Sequence, residues 1–216
     1  MGKVFLVPGL GADYRAFKNI DFGSYETVPV TWIIPDKTDT LTSYAQKLIE
    51  NYQITGGSIV AGNSLGGMLT IEIAKKVKLD KAILISSIKT IVEAPNSFKW
   101  YRRIPIYKLI PAKIYTSSGF FALKFVMGLT SKKASALFID MLRNTPPVFA
   151  KWAIGAILHW DNNVVPENVY HIHGDKDKIF PYKALQDATI IQGGTHIMIF
   201  NRAKEINTWL KNILPL

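Results

Sequence analysis

Ser64 sits in Gly62-Asn63-Ser64-Leu65-Gly66, between an apolar run, Ile59 to Ala61, and a stretch of helical spacing that begins at Leu65. A serine at such a strand-to-helix corner is held on a turn so sharp that the two backbones nearly touch, and small residues are needed two before and two after it. Gly62 and Gly66 supply them, and Gly67 adds clearance. A hydroxyl held there points away from the sheet, at a helix N-terminus whose backbone NH groups favour negative charge. It still needs a base, because serine becomes a nucleophile only when a neighbouring group, most often an imidazole, takes its proton.

Four histidines are available: His159, His171, His173 and His196. His171 and His173 alternate along an expected strand, and His159 falls in an expected helix. His196 follows Gly193-Gly194-Thr195 after the last expected strand, where a loop can swing over the carboxyl ends of the strands. It is the expected base. An imidazole must in turn be oriented by a carboxylate. Asp175 and Asp177 both follow the penultimate strand, and we expect Asp177 to fill that role, with Asp175 forming a turn by bonding its own backbone. The order Ser, Asp, His is that of the hydrolase arrangement.

The negative charge that develops during acyl transfer needs donors aimed at it. The NH of Leu65, just after the serine, is one. The other is expected from Pro8-Gly9-Leu10-Gly11-Ala12-Asp13, where glycines permit close backbone approach, and Leu10 is the candidate.

The elements that must position these groups are short apolar strands alternating with amphipathic helices, the pattern of an α/β fold with a mostly parallel sheet. Val4 to Val7, Thr27 to Ile34, Ser58 to Ala61, Lys81 to Ser86, Val169 to His173 and Ala188 to Ile191 read as strands. Leu41 to Tyr52, Leu65 to Val77 and Ala203 to Ile213 read as helices that cover them. From Thr90 to about Trp160 the alternation stops, and five prolines divide the stretch into helical pieces, among them Ser131 to Leu142, capped by Thr130 or Ser131, and Pro147 to Leu158. The expected organisation is therefore a core of residues 1–89 and 161–216 with a helical cap, residues 90–160, inserted in it.

With 48% hydrophobic and 19% charged residues over 216 positions, the composition is that of one globular domain and excludes a disordered chain. No apolar run is long enough for a membrane span. Val4 to Val7 lacks the flanks of a signal peptide, and the absence of Cys fits a reducing compartment, so a cytoplasmic location is expected. The net charge is +10, and between Ala94 and Ile139 there are eight basic residues and no acidic one. The plain reading is a solvated basic face. No nucleic-acid recognition motif accompanies it, so nucleic acid is not an expected partner; transient contact with anionic lipid is compatible with it.

Val7-Pro8-Gly9-Leu10-Gly11, Gly62 to Gly67, and His173 to Pro181 followed by Gly194-Thr195-His196 occur in the order and spacing of the α/β-hydrolase superfamily, and the chain resembles its small bacterial esterase-like members. The resemblance covers the whole length except the cap. It implies an α/β-hydrolase fold, here with a reduced six-stranded sheet and a helical cap insertion. It also implies catalytic roles for Ser64, Asp177 and His196, and an oxyanion hole at Leu10 and Leu65. The first strand carries the oxyanion loop directly, without the two strands that usually precede it, and Pro8 stands where many relatives have His.

The expected activity is a serine esterase: hydrolysis of a small-molecule carboxylic ester through an acyl-enzyme on Ser64, with no cofactor and no metal. Cap aromatics such as Trp100, Phe121 and Phe125 are candidates for binding a hydrophobic acyl or alcohol group. The same triad also serves carbon-carbon bond hydrolases, lyases and acyltransferases, and the same fold serves non-catalytic binding proteins. His171-x-His173-x-Asp175-x-Asp177 is similar to metallohydrolase ligand runs, but a metal would need further ligands that a chain with four His and no Cys hardly offers.

Overall fold

The computed structural model describes residues 2–117, 127–129 and 131–214. Six strands, β1 (Lys3–Val7), β2 (Glu26–Pro29), β3 (Ile59–Asn63), β4 (Lys81–Ile85), β5 (Val169–Gly174) and β6 (Thr189–Ile191), form one sheet in the order β2-β1-β3-β4-β5-β6. Every pairing is parallel. The chain moves outward from β1 to β2 and then returns to the other side of β1, so the order reverses between β1 and β3. A crevice opens at the carboxyl ends of the strands at such a point.

Alternation along the strands divides the core in two. Val4, Leu6, Ile59, Ala61, Ile83 and Ile85 face one side, where Ile206 and Leu210 of a C-terminal helix, Ala203–Ile213, cover them. Phe5, Val7, Val60, Ala82 and Leu84 face the other. There they meet α1 (Leu41–Tyr52), through Leu41, Tyr44, Ala45 and Leu48, and α2 (Leu65–Ala74), through Met68 and Leu69. A capping box between Thr40 and Ser43 starts α1.

Two boundaries differ from expectation for physical reasons. The β-branched run Thr27 to Ile34 leaves the sheet just past Pro29, with a last bond from Val30 N to the Leu6 carbonyl at 3.0 Å. Beyond it the hydroxyls of α1 take over: Thr31 N donates to Tyr52 Oη at 2.7 Å and Ile33 N to Tyr44 Oη at 2.9 Å. Helix α2 ends at Ala74 rather than Val77, because the NH groups of Lys76 and Val77 both turn back to the Ile73 carbonyl.

Between β4 and β5 the described residues form helices and turns only: α3 (Ser97–Arg103), α4 (Lys132–Asn144) and α5 (Pro147–His159). Ser131 caps α4, accepting from Ala134 N, and Pro147 opens α5 at its first turn; Thr130 lies outside the described residues. Two further helices, α6 (Met198–Asn201) and α7 (Ala203–Ile213), close the chain. Helix α5 is fixed to the flank of α1. Phe149 stacks on Trp32 with centroids 4.4 Å apart, and the Trp152 indole packs on Tyr44 while donating to the Asp39 carbonyl at 2.8 Å. Helix α4 reaches the loop after β1, where Asp140 pairs with Arg15 at 2.7 Å. Trp160 then donates its indole NH to buried Glu72, returning the chain to the core.

His171 on β5 is 3% exposed, and neither ring nitrogen has a hydrogen-bond partner of good geometry. Burial first, then repulsion from His173 and Lys89, push it from an ordinary 6.5 down to about 3; the Ser87 backbone offsets little of this. The unfolded chain therefore binds a proton that the folded chain refuses. Stability is fully present above about pH 6.5 and falls by up to about 1.4 kcal/mol per pH unit as pH drops toward about 3. Urea midpoints at about pH 7 and about pH 5 should fall more steeply for the natural protein than for His171→Leu; parallel falls would contradict this.

Candidate active site

Helix α2 begins where no side chain fits. A Cβ on Gly66 would lie 2.0 Å from the Val7 carbonyl oxygen, one on Gly62 would lie 2.2 Å from that of Gly66, and one on Gly67 would lie 2.4 Å from Ser87 Cβ. The contact forces Ser64 into an unusual backbone conformation, φ 54° and ψ −118°. Strain of this kind persists only where the surroundings over-determine it. Here Ser64 N donates to the Ile85 carbonyl at 3.0 Å, and the Ser64 carbonyl accepts from Gly67 N at 2.9 Å and from Ser87 Oγ at 2.7 Å.

The structure brings Ser64, His196 and Asp177 into one hydrogen-bonded line. Ser64 Oγ and His196 Nε2 are 2.9 Å apart, and His196 Nδ1 and Asp177 Oδ2 are 2.8 Å apart. An ionised carboxylate only accepts, so His196 Nδ1 donates to Asp177, and Nε2 is left to accept from the serine hydroxyl. His196 and Asp177 are buried, whereas Ser64 is partly exposed.

Asp177 is held from three sides. Its Oδ1 accepts from Ile179 N at 2.8 Å and Phe180 N at 2.9 Å, and its Oδ2 lies 3.2 Å from His173 Nε2. Burial acts to raise this carboxyl, but the attraction of His196 and the hydrogen bonds from His173 and His196 outweigh it and hold Asp177 below the ordinary carboxylate range. His173 Nε2 also faces the Phe180 carbonyl at 2.8 Å; both neighbours are acceptors, so that nitrogen carries the hydrogen. The Phe180 ring packs edge-on against His196, centroids 5.5 Å apart.

Leu10 belongs to the loop after β1, and Leu65 follows Ser64 at the start of α2. Gly9, just before Leu10, is so close to the corner that a Cβ on it would lie 3.2 Å from Ser64 Cβ. Among the described residues neither the Leu10 NH nor the Leu65 NH has a hydrogen-bond acceptor.

Other sequence candidates are distributed differently. Asp175 does not bond its own turn; its Oδ1 accepts from Gly193 N at 2.6 Å and ties the loop of His196 to β5. That loop also needs Gly174, whose Cβ would lie 2.1 Å from the Gly194 carbonyl oxygen. His159 is exposed at the end of α5. Among the described residues no group of three or more His, Asp and Glu is spaced to hold a metal ion.

Trp100 is 50% exposed on α3 against Tyr101, while Phe120, Phe121 and Phe125 lie outside the described residues. Apolar side chains from α4 do reach the loop after β1: a Cβ on Gly11 would meet Leu142 at 2.8 Å and Phe138 at 3.7 Å. A cavity of about 720 Å³ between α5 and the segment before α1 is lined by none of Ser64, Asp177 and His196.

Sequence reasoning did not single out His173 as a neighbour of Asp177, nor Ser87 as a support of Ser64. A His four positions before an Asp at the end of a strand was the available signal for the first. For the second there was only a small residue beyond β4.

Fold and site together define a parallel α/β protein with a serine, histidine and carboxylate assembled at the carboxyl ends of its strands. The chain belongs to the alpha/beta hydrolase family, whose family model matches residues 4–209. Its fold is similar to that of an esterase from Exiguobacterium antarcticum, with a TM-score of 0.75 and 12% identity over 100% of this chain and 92% of that one. A thermophilic esterase from Thermogutta terrifontis gives 0.71 and 17% over 99% and 91%. A bromoperoxidase from Bacillus anthracis gives 0.69 and 16% over 99% and 91%. No curated protein matches the chain. Among the described residues no helix is long and apolar enough to cross a membrane.

The elbow contact makes a direct prediction. Gly66→Ala should lower unfolding free energy by about 3 kcal/mol or more, since the obstacle is backbone that cannot rotate away. Chemical denaturation measures it, and a midpoint equal to that of the natural protein would contradict the packing.

Proposed function

We propose that the protein is a carboxylic ester hydrolase in which Ser64 is the nucleophile, His196 the general base and Asp177 the group that orients it. The observation that carries this reading is the unbroken line Ser64 Oγ, His196 Nε2, His196 Nδ1, Asp177 Oδ2, with separations of 2.9 and 2.8 Å. Family membership supports it, and two of the structural neighbours are named as esterases.

In this mechanism Ser64 Oγ attacks the ester carbonyl while its proton passes to His196 Nε2. The carbonyl oxygen, now negative, is held by the NH groups of Leu65 and Leu10. As the intermediate collapses, His196 gives its proton to the departing alcohol, leaving an acyl group on Ser64. Water then repeats the sequence, with His196 taking a proton from it and returning that proton to Ser64. Asp177, kept ionised by its donors, stabilises the imidazolium through both halves. All of these roles fall to side chains and backbone of the chain itself.

Residues 90–160 are proposed as a cap over this site. Gly128 supports this, since a Cβ there would lie 2.6 Å from Thr195, the neighbour of His196; so do Phe138 and Leu142 at the oxyanion loop. Such apolar surroundings suit a small-molecule ester with a hydrophobic acyl or alcohol group. A cytoplasmic location belongs to the same proposal and rests on the lack of Cys.

The test is a series of p-nitrophenyl esters of graded chain length. Medium-chain esters should be turned over, and Ser64→Ala should reduce kcat/KM by on the order of 10⁵-fold while leaving the fold intact. Equal turnover by Ser64→Ala would reject the nucleophile. Turnover of acetyl esters without medium-chain ones would reject the hydrophobic pocket.

A further inference from the structure

The stretch from α3 to the turn at residues 112–116 leaves large apolar side chains in water. Trp100 is 50% exposed, Tyr101 43%, Ile104 47%, Ile106 48%, Leu109 84% and Ile114 46%. Scattered single hydrophobes are ordinary on a protein surface, but a run this dense marks an interaction site. Its outward direction is fixed by what the same segment places inside. Phe98 packs on Phe180 with centroids 6.3 Å apart, the Arg102 guanidinium donates to the carbonyls of Leu158 and Trp160, and Gly155 of α5 lies against the Tyr107 ring.

Cations are interleaved with these hydrophobes. Lys99, Arg103, Lys108 and Lys113 are all exposed, and among the described residues none of the four makes an ion pair. They belong to the stretch between Ala94 and Ile139 that has no acidic residue. The segment is thus both apolar and basic, with Asp36 and Asp161 of neighbouring segments reaching only its Lys108 end.

We propose that this face docks on an anionic lipid bilayer. Trp and Tyr settle at the headgroup level, Ile and Leu enter the acyl boundary, and Lys and Arg meet negative headgroups. A second copy of this chain is a poor partner, since identical faces would set cation against cation. Nucleic acid would satisfy the cations but would leave Ile104, Ile106 and Leu109 without an apolar counterpart. Of these three, the bilayer satisfies both halves of the surface. The face also adjoins the site, because Phe98 touches Phe180 and Phe180 touches His196. Docking would bring the ester-binding side of the protein to the lipid boundary, but binding itself does not require the proposed hydrolase chemistry.

The experiment is flotation of the full chain carrying Ser64→Ala, which cannot consume lipid through the proposed nucleophile, with vesicles of phosphatidylcholine alone or mixed with phosphatidylglycerol. The mixed vesicles should bind on the order of tenfold more tightly, with binding weakened by salt. Leu109→Asp and the triple variant Lys99→Gln, Lys108→Gln, Lys113→Gln should each lose on the order of tenfold of that affinity. Both alter exposed positions, and circular dichroism checks that they fold. In the Ser64 background, Leu109→Asp should leave turnover of a water-soluble ester unchanged, so a failed docking surface and a failed active site give different results. No vesicle binding, equal binding to neutral and anionic vesicles, or unchanged binding by both variants would overturn the proposal. So would tighter binding to duplex DNA than to the mixed vesicles, or a concentration-dependent dimer that buries this face.

Discussion

At the start of α2 the backbone of the helix rests on the backbone of β1, with the Gly66 α-carbon so near the Val7 carbonyl that a methyl group would stand 2.0 Å from its oxygen. The rest of the site depends on this contact. It sets the angle at which the chain leaves β3 and holds Ser64 in its strained turn at φ 54°. It also brings the loop after β1 beside the serine, where a Cβ on Gly9 would lie 3.2 Å from Ser64 Cβ. The parallel sheet supplies the means, because adjacent β1 and β3 both end at the point where strand order reverses.

The second half of the site is assembled on β5 and the loop after β6. Asp177 lies one turn past β5 with four donors around it, two from backbone and two from imidazole. That concentration of donors offsets the cost of burying a carboxylate and fixes which imidazole nitrogen faces the serine. The loop of His196 is pinned to β5 by the Asp175 bond to Gly193 and by the close approach of Gly174 to Gly194. The segment between β4 and β5 then joins the halves, with α4 reaching the loop after β1 and a Cβ on Gly128 meeting Thr195.

Local chemistry explains what could be read from the sequence. Gly62, Ser64 and Gly66 are adjacent in the chain, and their spacing alone demands a corner; the alternation of apolar strands with helices gave the parallel sheet. Position after the last two strands singled out His196 and Asp177. What escaped was set by tertiary packing. His173 meets Asp177 only because the turn after β5 folds back on the strand, and Phe138 and Leu142 reach Gly11 from more than a hundred positions away. The overshoot of β2 has the same origin: Thr27 to Ile34 reads as a strand by composition, but the hydroxyls of Tyr44 and Tyr52 claim its backbone. Asp175 was read as a local turn-former because its partner, Gly193, is remote in sequence.

Burial of His196 and Asp177 beside a partly exposed Ser64 is the arrangement expected of a nucleophile that must meet a substrate while its base is shielded from water. The most direct measurement is the site of covalent capture by a fluorophosphonate, located by intact mass and peptide mapping. The account predicts one adduct, on Ser64, with a labelling rate that collapses in His196→Ala although the fold persists. An unlabelled native protein, an adduct on another residue such as Ser87, or labelling of Ser64 at the same rate without His196 would contradict it.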